Sequence, residues 1–513
     1  MFTPTPPKNE SPYQRFTQKP GKVCNHHGWR PDHLSITDRD GSTLYETDGG
    51  SLFNEIIQLD DVETLEKYFS VEPRAIPKLH SLPEDDEAFY DLGMTFHNAI
   101  CDGSLGVIRL LASHELKYSE STEKIRFDKF IFHLLTHAAR WGQIEMVKFF
   151  LDNQPLYADI NDRDHWGNTA LSAVADIHQH RYAFPCPECW DFQPEKNEAM
   201  MNLLLDRGAC ASDAVLPFRG CDETRNTVLT LASKWSSYEM IKRLIDCGAD
   251  IHAKVTYSAW DLGLHAGEED FHVTALFIAC IFSNSQATKC LINHRGDNIA
   301  LSDMLYPRNI HGLFPIHWAA RKRPVEDYQD IPEPPYEKWT RDTTDTIALL
   351  LEHDTSMVNI KDGDGNTPLH HSVHGLGLNE RYCTSVLEFL CDRGADASMC
   401  NNKGQTPLHV LCCNTSLPVS VAAVSILLNH GANPTTADID GNTPVHLAAL
   451  RLDSIDTMAF LLDNGGDPAQ LNSNCETAFD RVATGTFSFG VVKSGQEITK
   501  AKEEMLSTMV KSG

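Results

Sequence analysis

The chain contains no run of about 18 apolar residues, so the sequence predicts no membrane span. It is also poor in positive charge, with 44 Lys and Arg against 71 Asp and Glu and a formal net charge of −27. A nucleic-acid backbone is held by clustered cations, so this balance excludes non-specific nucleic-acid binding. No phosphate loop of the form Gly-x-x-x-x-Gly-Lys-Ser/Thr occurs, no Gly-x-Ser-x-Gly elbow, no His-Glu-x-x-His and no kinase signature set. The start, Met1-Phe2-Thr3-Pro4-Thr5-Pro6-Pro7, is proline-rich and lacks the apolar centre of a secretory signal. The fifteen cysteines therefore read as reduced thiols of a cytoplasmic or nuclear protein, not as a disulfide framework. Cys280, Cys290, Cys391 and Cys412 fall at apolar positions, where a free thiol serves as a small hydrophobe.

What the chain does have is a recurring phrase. Thr-Pro-Leu-His stands at 367–370 and at 406–409, and Thr-Pro-Val-His at 443–446. A glycine lies two residues before each threonine: Gly365, Gly404 and Gly441. Threonine is a good helix N-cap, and proline at the first helical position has a suitable fixed φ and no N–H to leave unpaired. A short helix follows, such as His446-Leu447-Ala448-Ala449, and then a second, such as Thr457–Leu462, which stops at Gly465. Neither helix can bury its apolar side alone, so successive units must stack.

This pattern resembles the ankyrin repeat, whose consensus runs from a turn through Gly-x-Thr-Pro-Leu-His and two helices to Gly-Ala-Asp. Aligned on the threonine position, units start near 51, 94, 133, 169, 227, 274, 314, 367, 406, 443 and 477, the last one truncated. The family period is about 33 residues, and most intervals here are longer, so the units carry insertions near 176–199, 254–270 and 321–344. The resemblance implies an all-α fold, an ankyrin-repeat solenoid of stacked helix-turn-helix units with long inter-repeat insertions. The expected organisation is a Pro-rich disordered leader at 1–48, the array at 49–480 and a C-terminal cap or tail at 481–513. In the tail, residues 496–510 read as an amphipathic helix.

The resemblance also implies a function and a surface. Ankyrin stacks commonly bind protein partners through the turns beside the conserved glycine and the exposed end of the first helix, on the concave face. Carried over by position, the candidates are His165, Trp166 and Asn168 in the unit at Thr169, and His311, Arg321 and Lys322 in the unit at Phe314. They continue as Asp364, Asn366 and His374, then Asn402, Lys403 and Gln405, then Asp440 and Asn442. Trp166 is the best single anchor, because aromatic residues dominate interface hot spots. The acidic balance reads first as solubility of an extended particle, and more sharply as a preference for a basic protein partner. His97, His317, His370, His409 and His446 occupy the motif and are expected to bond within and between turns.

Two further groups bear chemistry. His178, His180, Cys186 and Cys189 combine His-x-His with Cys-x-x-Cys inside an insertion, a set that offers zinc four N/S ligands and a coreless loop a staple. The competing reading is a metal-free loop with incidental cysteines. Arg321-Lys322-Arg323-Pro324 has the form of a minimal nuclear-import signal, a pattern that also arises by chance in surface loops. For the whole chain, the expected function is a non-catalytic protein-interaction scaffold or adaptor without cofactor. The alternative is an enzyme or small-molecule-binding protein, for instance biosynthetic, with a pocket built by the insertions.

Overall fold

A computed structural model of the chain describes residues 34–37, 43–47, 56–71, 96–118, 133–154, 158–164, 166–176, 193–215, 226–257, 271–295, 304–305, 312–321, 336–374, 380–413, 419–487 and 493–512. The chain divides into two compact units. One comprises Met1–Leu231 with Asp246–Ala249, the other Ala232–Ile245 with Asp250–Gly513.

The first unit opens with strands β1 (Leu34–Thr37) and β2 (Thr43–Thr47), paired antiparallel with a register irregularity between Ile36 and Thr37. This hairpin lies in the stretch where the sequence suggested a disordered leader. Helices α1 (Val62–Val71) and α2 (Leu105–Tyr118) follow and pack together. Asp60 binds α2 from outside: its carboxylate accepts from the N–H groups of Gly106 and Val107 at 3.0 and 2.7 Å, two donors that the first turn of a helix leaves unpaired. Next come the pair α3 (Leu134–Arg140) and α4 (Ile144–Asp152), then α5 (Ala170–Ala175) and α6 (Pro194–Asp206). The first helices α3 and α5 lie side by side, and α6 packs on α5. Thr169 caps α5 by accepting from the Ser172 N–H. Leu134, Leu135, Phe150, Leu171 and Leu204 are buried among these helices.

Helices α7 (Val228–Ala232) and α8 (Tyr238–Asp246) form the repeat that begins at Thr227, whose residues are shared between the two compact units. The second unit then builds two layers. The first helices are α9 (Ala275–Ile281), α11 (Pro315–Ala320), α13 (Pro368–His374), α15 (Pro407–Cys413), α17 (Pro444–Ala448) and α19 (Ala478–Val482). The second helices are α10 (Ser285–Asn293), α12 (Tyr336–His353), α14 (Glu380–Asp392), α16 (Val421–Asn429), α18 (Ile455–Asp463) and α20 (Gly495–Ser512). Each first helix packs on the next first helix and each second helix on the next second helix. The expected all-α ankyrin-type layering is what the described residues show, apart from two small hairpins.

Two details depart from the sequence reading. The unit beginning at Thr477 is not left without a second helix. The amphipathic segment foreseen near 496–510 forms α20, which packs on both α18 and α19 and buries Met505 and Met509. The insertion near 254–270 is entered and left by strands β3 (Val255–Tyr257) and β4 (Phe271–Val273), paired antiparallel. Val255 and Val273 join Phe277, Ile278, Ile281, Phe282, Leu313 and Trp318 in one apolar cluster. Phe277 stands where the repeats at 314, 367, 406 and 443 have the motif histidine, so an apolar ring takes the place of the bridging imidazole there. The four foreseen core cysteines, Cys280, Cys290, Cys391 and Cys412, are buried. Burial pushes the Cys280, Cys391 and Cys412 thiols up to about 12, so they are neutral at physiological pH.

Candidate functional site

The turns before the threonines share one bonding pattern. Five residues before the conserved Thr stands Asp or Asn, and its side-chain oxygen accepts from the backbone N–H groups two and four residues on. Asp362 accepts from Asp364 and Asn366 at 2.9 and 2.8 Å. Asn401 accepts from Lys403 and Gln405, Asp438 from Asp440 and Asn442, and Asn472 from Asn474 and Glu476. In the first unit Asp164 does the same for Trp166 and Asn168. Short polar side chains form such Asx turns readily, which is why Asp or Asn stands at this position in these five turns. The glycine slot is left-handed: φ is +79° at Gly365, +72° at Gly404 and +77° at Gly441. A Cβ on Gly441 would also lie 2.6 Å from the Ser473 nitrogen.

That close approach exists because the turn tips are tied to one another. The Asn402 N–H donates to the Asp364 carbonyl at 2.9 Å, Ile439 to Lys403 at 3.1 Å and Ser473 to Asp440 at 2.9 Å. An amide ladder runs beneath: Asn401 Nδ2 donates to Asn366 Oδ1 at 2.9 Å and Asn472 Nδ2 to Asn442 Oδ1 at 3.0 Å. The motif histidines add a third tie. His370 Nδ1 accepts from the Thr367 N–H at 3.1 Å while Nε2 donates to the Gln405 carbonyl at 2.9 Å. His409 bridges Thr406 to Asn442, His446 bridges Thr443 to Glu476, and His317 bridges Phe314 to Ile360. Each ring must be neutral, with its proton on Nε2, to accept at one nitrogen and donate at the other. Burial holds His370 down to about 4, and burial, then the neighbouring His371, holds His317 down to about 3.

Against this frame the candidate residues separate. Asp364, Asn402, Lys403 and Asp440 are exposed at successive tips. Asn366 and Gln405 are half-buried one step below, with Asn366 already engaged by Asn401. Asn442 and Asn168 are buried, and their amides face the turn scaffold, not solvent. Trp166 is half-buried, with the Arg140 guanidinium 5.9 Å from its ring centroid. Arg140 is itself enclosed and pairs with Asp164 at 3.3 Å. Burial pulls its guanidinium down from its ordinary value, and Asp164 and Asp176 act the other way. Arg321 is half-buried, 5.8 Å from the Trp318 ring. His165, His311 and Lys322 lie outside the described residues, as do the side chain of His374 and all four of His178, His180, Cys186 and Cys189.

The tip row also holds two residues that positional carry-over passed by. Ile439 is 69% exposed and Leu471 59%. Ile439 sits between the tips of Lys403 and Asp440, and Leu471 precedes the next Asx residue. An apolar residue at a slot filled by Gly363, Asn402 and Ser473 in the other turns was the available signal for Ile439.

Comparison with known proteins agrees with this geometry. A family model described as "Ankyrin repeats (3 copies)" matches residues 378–472, and one described as "Ankyrin repeat" matches 224–255. The chain is 26% identical over 262 residues to the nuclear factor NF-kappa-B p105 subunit of Gallus gallus, covering 50% of this chain and 22% of that protein. It is 33% identical over 140 residues to the B-cell lymphoma 3 protein homolog of Mus musculus, covering 26% of this chain and 28% of that one. It is 27% identical over 142 residues to an intracellular phospholipase A2 of Caenorhabditis elegans, covering 27% and 13%. The matches thus span under a third of each of these relatives. The Asx turn, the left-handed glycine, the threonine cap and the bridging histidine are the elements of that repeat, and the chain is an ankyrin-repeat protein.

Proposed function

We propose that the chain is a non-catalytic protein-interaction scaffold whose partner docks on the row of turn tips in the second unit. The observation that carries this reading is the backbone ladder through Asp364, Asn402, Lys403, Ile439, Asp440 and Ser473, which fixes consecutive tips relative to one another. A partner meets a surface whose ordering cost is already met in the fold, and preorganisation of this kind favours affinity. Exposed Ile439 and Leu471 supply apolar anchors within a polar rim, the usual composition of a binding patch. Asp440 adjoins Ile439, Asp364 stands two turns away along the row, and with a net charge of −27 they favour a basic partner.

The test is an affinity capture from cells that make the protein, read by mass spectrometry, with variants compared for the same partner. Ile439→Glu replaces a mostly exposed side chain and should leave the thermal midpoint nearly unchanged. At a hot spot it weakens binding by about 2 kcal/mol or more. Asp364→Lys with Asp440→Lys should slow association of a basic partner, with added salt masking the difference. Full binding by both variants would move the interface elsewhere, and conversion of a small molecule by the pure protein would replace the scaffold reading with the enzymatic one.

A further inference from the structure

The two degenerate repeats that begin near 94 and 133 place their histidines differently from the later ones. His97 holds the fourth place of its motif, Met94-Thr95-Phe96-His97, but the next unit reads His133-Leu134-Leu135-Thr136, with His137 one place beyond the motif. His97 meets the side chains of the next repeat and of its own helix. Its Nδ1 lies 2.7 Å from Nε2 of His137. Cys101, one helical turn on, places its Sγ 3.5 Å from His97 Nε2 and 3.8 Å from Nδ1. One ligand atom from each of the three residues fits within a mutual separation of 4.8 Å. His97 and His137 are buried, Cys101 is half-buried, and the Trp141 ring stands edge-on to both imidazoles, 6.4 and 6.2 Å between centroids.

We propose that His97, Cys101 and His137 form a binding site for a zinc-class divalent ion that ties these two repeats together. The donor set is two imidazole nitrogens and one thiolate, the set that selects zinc over magnesium or calcium. His and Cys four apart on the helical residues 96–102 present their donors on one face, and α3 of the next repeat brings the third. With Zn–N of about 2.0–2.1 Å a tetrahedral edge is about 3.3 Å, so the two rings need separate by only roughly half an ångström. On binding, the Cys101 thiol releases its proton to solvent. The proton between the two rings leaves the donor nitrogens, and each imidazole stays neutral with its proton on the far nitrogen. A water completes the fourth position. The ion would tie these two units as His370 and His409 tie later ones.

The experiment uses the full chain carrying Cys186→Ser and Cys189→Ser, so that the separate Cys/His run cannot contribute. After treatment with chelator and its removal, cobalt is added and the absorption spectrum followed, then zinc is added in competition. The expected result is one equivalent of cobalt with a thiolate-to-cobalt charge-transfer band, bleached by zinc and lost on Cys101→Ser. X-ray absorption of the zinc-loaded protein needs no further substitution, and one sulfur with two or three nitrogen or oxygen neighbours is expected. No thiolate band on cobalt addition, a band that survives Cys101→Ser, or a zinc shell with no sulfur or with two or more would each overturn the site.

Discussion

The bridging histidines make a quantitative prediction about acid. His370 accepts from Thr367 at one nitrogen and donates to Gln405 at the other, so a second proton would face an N–H. Burial first, with positive neighbours adding to it, lowers its folded pKa to about 4, against an ordinary value of 6.5. The unfolded chain therefore binds the proton first as pH falls. Stability from this residue is complete above about pH 6.5, declines as pH drops below it, and levels off beneath the folded value. Integrating the difference gives a loss of about 2 kcal/mol between pH 7 and pH 5, and about 3 by pH 4. His317, held down to about 3, contributes a loss of the same order, and burial lowers His409 in the same direction. Repeat arrays open in parts, so the assay is native-state hydrogen exchange at the amides of α13 and α15, corrected for intrinsic rates. Wild-type opening free energy should fall steeply from pH 7 to pH 5. His370→Gln should be less stable at pH 7, because a buried donor and acceptor lose partners, yet its further fall to pH 5 should be smaller by about 2 kcal/mol. Equal falls in both proteins would refute the claim that this ring is held neutral by its two bonds.

Other substitutions check the turns. Gly441→Val places a branched side chain at a left-handed φ of +77° and against the Ser473 nitrogen, and should cost about 1–3 kcal/mol in urea unfolding. Cys475 occupies the same slot in the last turn with φ +61°, so Cys475→Gly should raise the thermal midpoint, by about 1 kcal/mol of stability. Asp164→Ala removes an ion-pair partner of the enclosed Arg140 and the acceptor of its turn. A loss of about 3–5 kcal/mol is expected, and Arg140→Met with Asp164→Asn should recover part of it.

Most of the architecture was legible because the repeat is written in local chemistry. A threonine cap, a proline, a left-handed glycine and an apolar spacing each force one step of the backbone, and each can be read without knowing the neighbours. The surface was harder to read because it depends on what lies across the junction. Asn442 and Asn366 look alike in sequence, yet a neighbouring arginine, Arg481, reaches only Asn442, and Asn442 is buried while Asn366 is not. Trp166 read as an exposed anchor, and the pair Arg140–Asp164 beneath it, 24 positions apart, half-covers it. The hairpin β3–β4 gave no alternation signal, since each strand has three residues and its valines serve a cluster centred on Phe277.

The fourth position of the motif shows how one repeat site can carry different couplings along the chain. Where it is Thr230, the hydroxyl accepts from the Thr227 N–H at 2.9 Å. Where it is Asp480, the carboxylate accepts from the Thr477 N–H at 2.8 Å. Either satisfies its own turn and stops there. Histidine alone is long enough and has a second nitrogen on the far side, so it satisfies its own turn and the carbonyl of the next. Coupling between neighbours is therefore strongest from Phe314 to Glu476, where four consecutive repeats carry it. The backbone ladder between turn tips runs from Asp364 to Ser473 within that same stretch. A rigid row of tips needs both, since a tip can be no better fixed than the helix pair beneath it. The histidine ties, the backbone ladder and the exposed Ile439 and Leu471 coincide in these repeats, and the proposed docking rests on that coincidence.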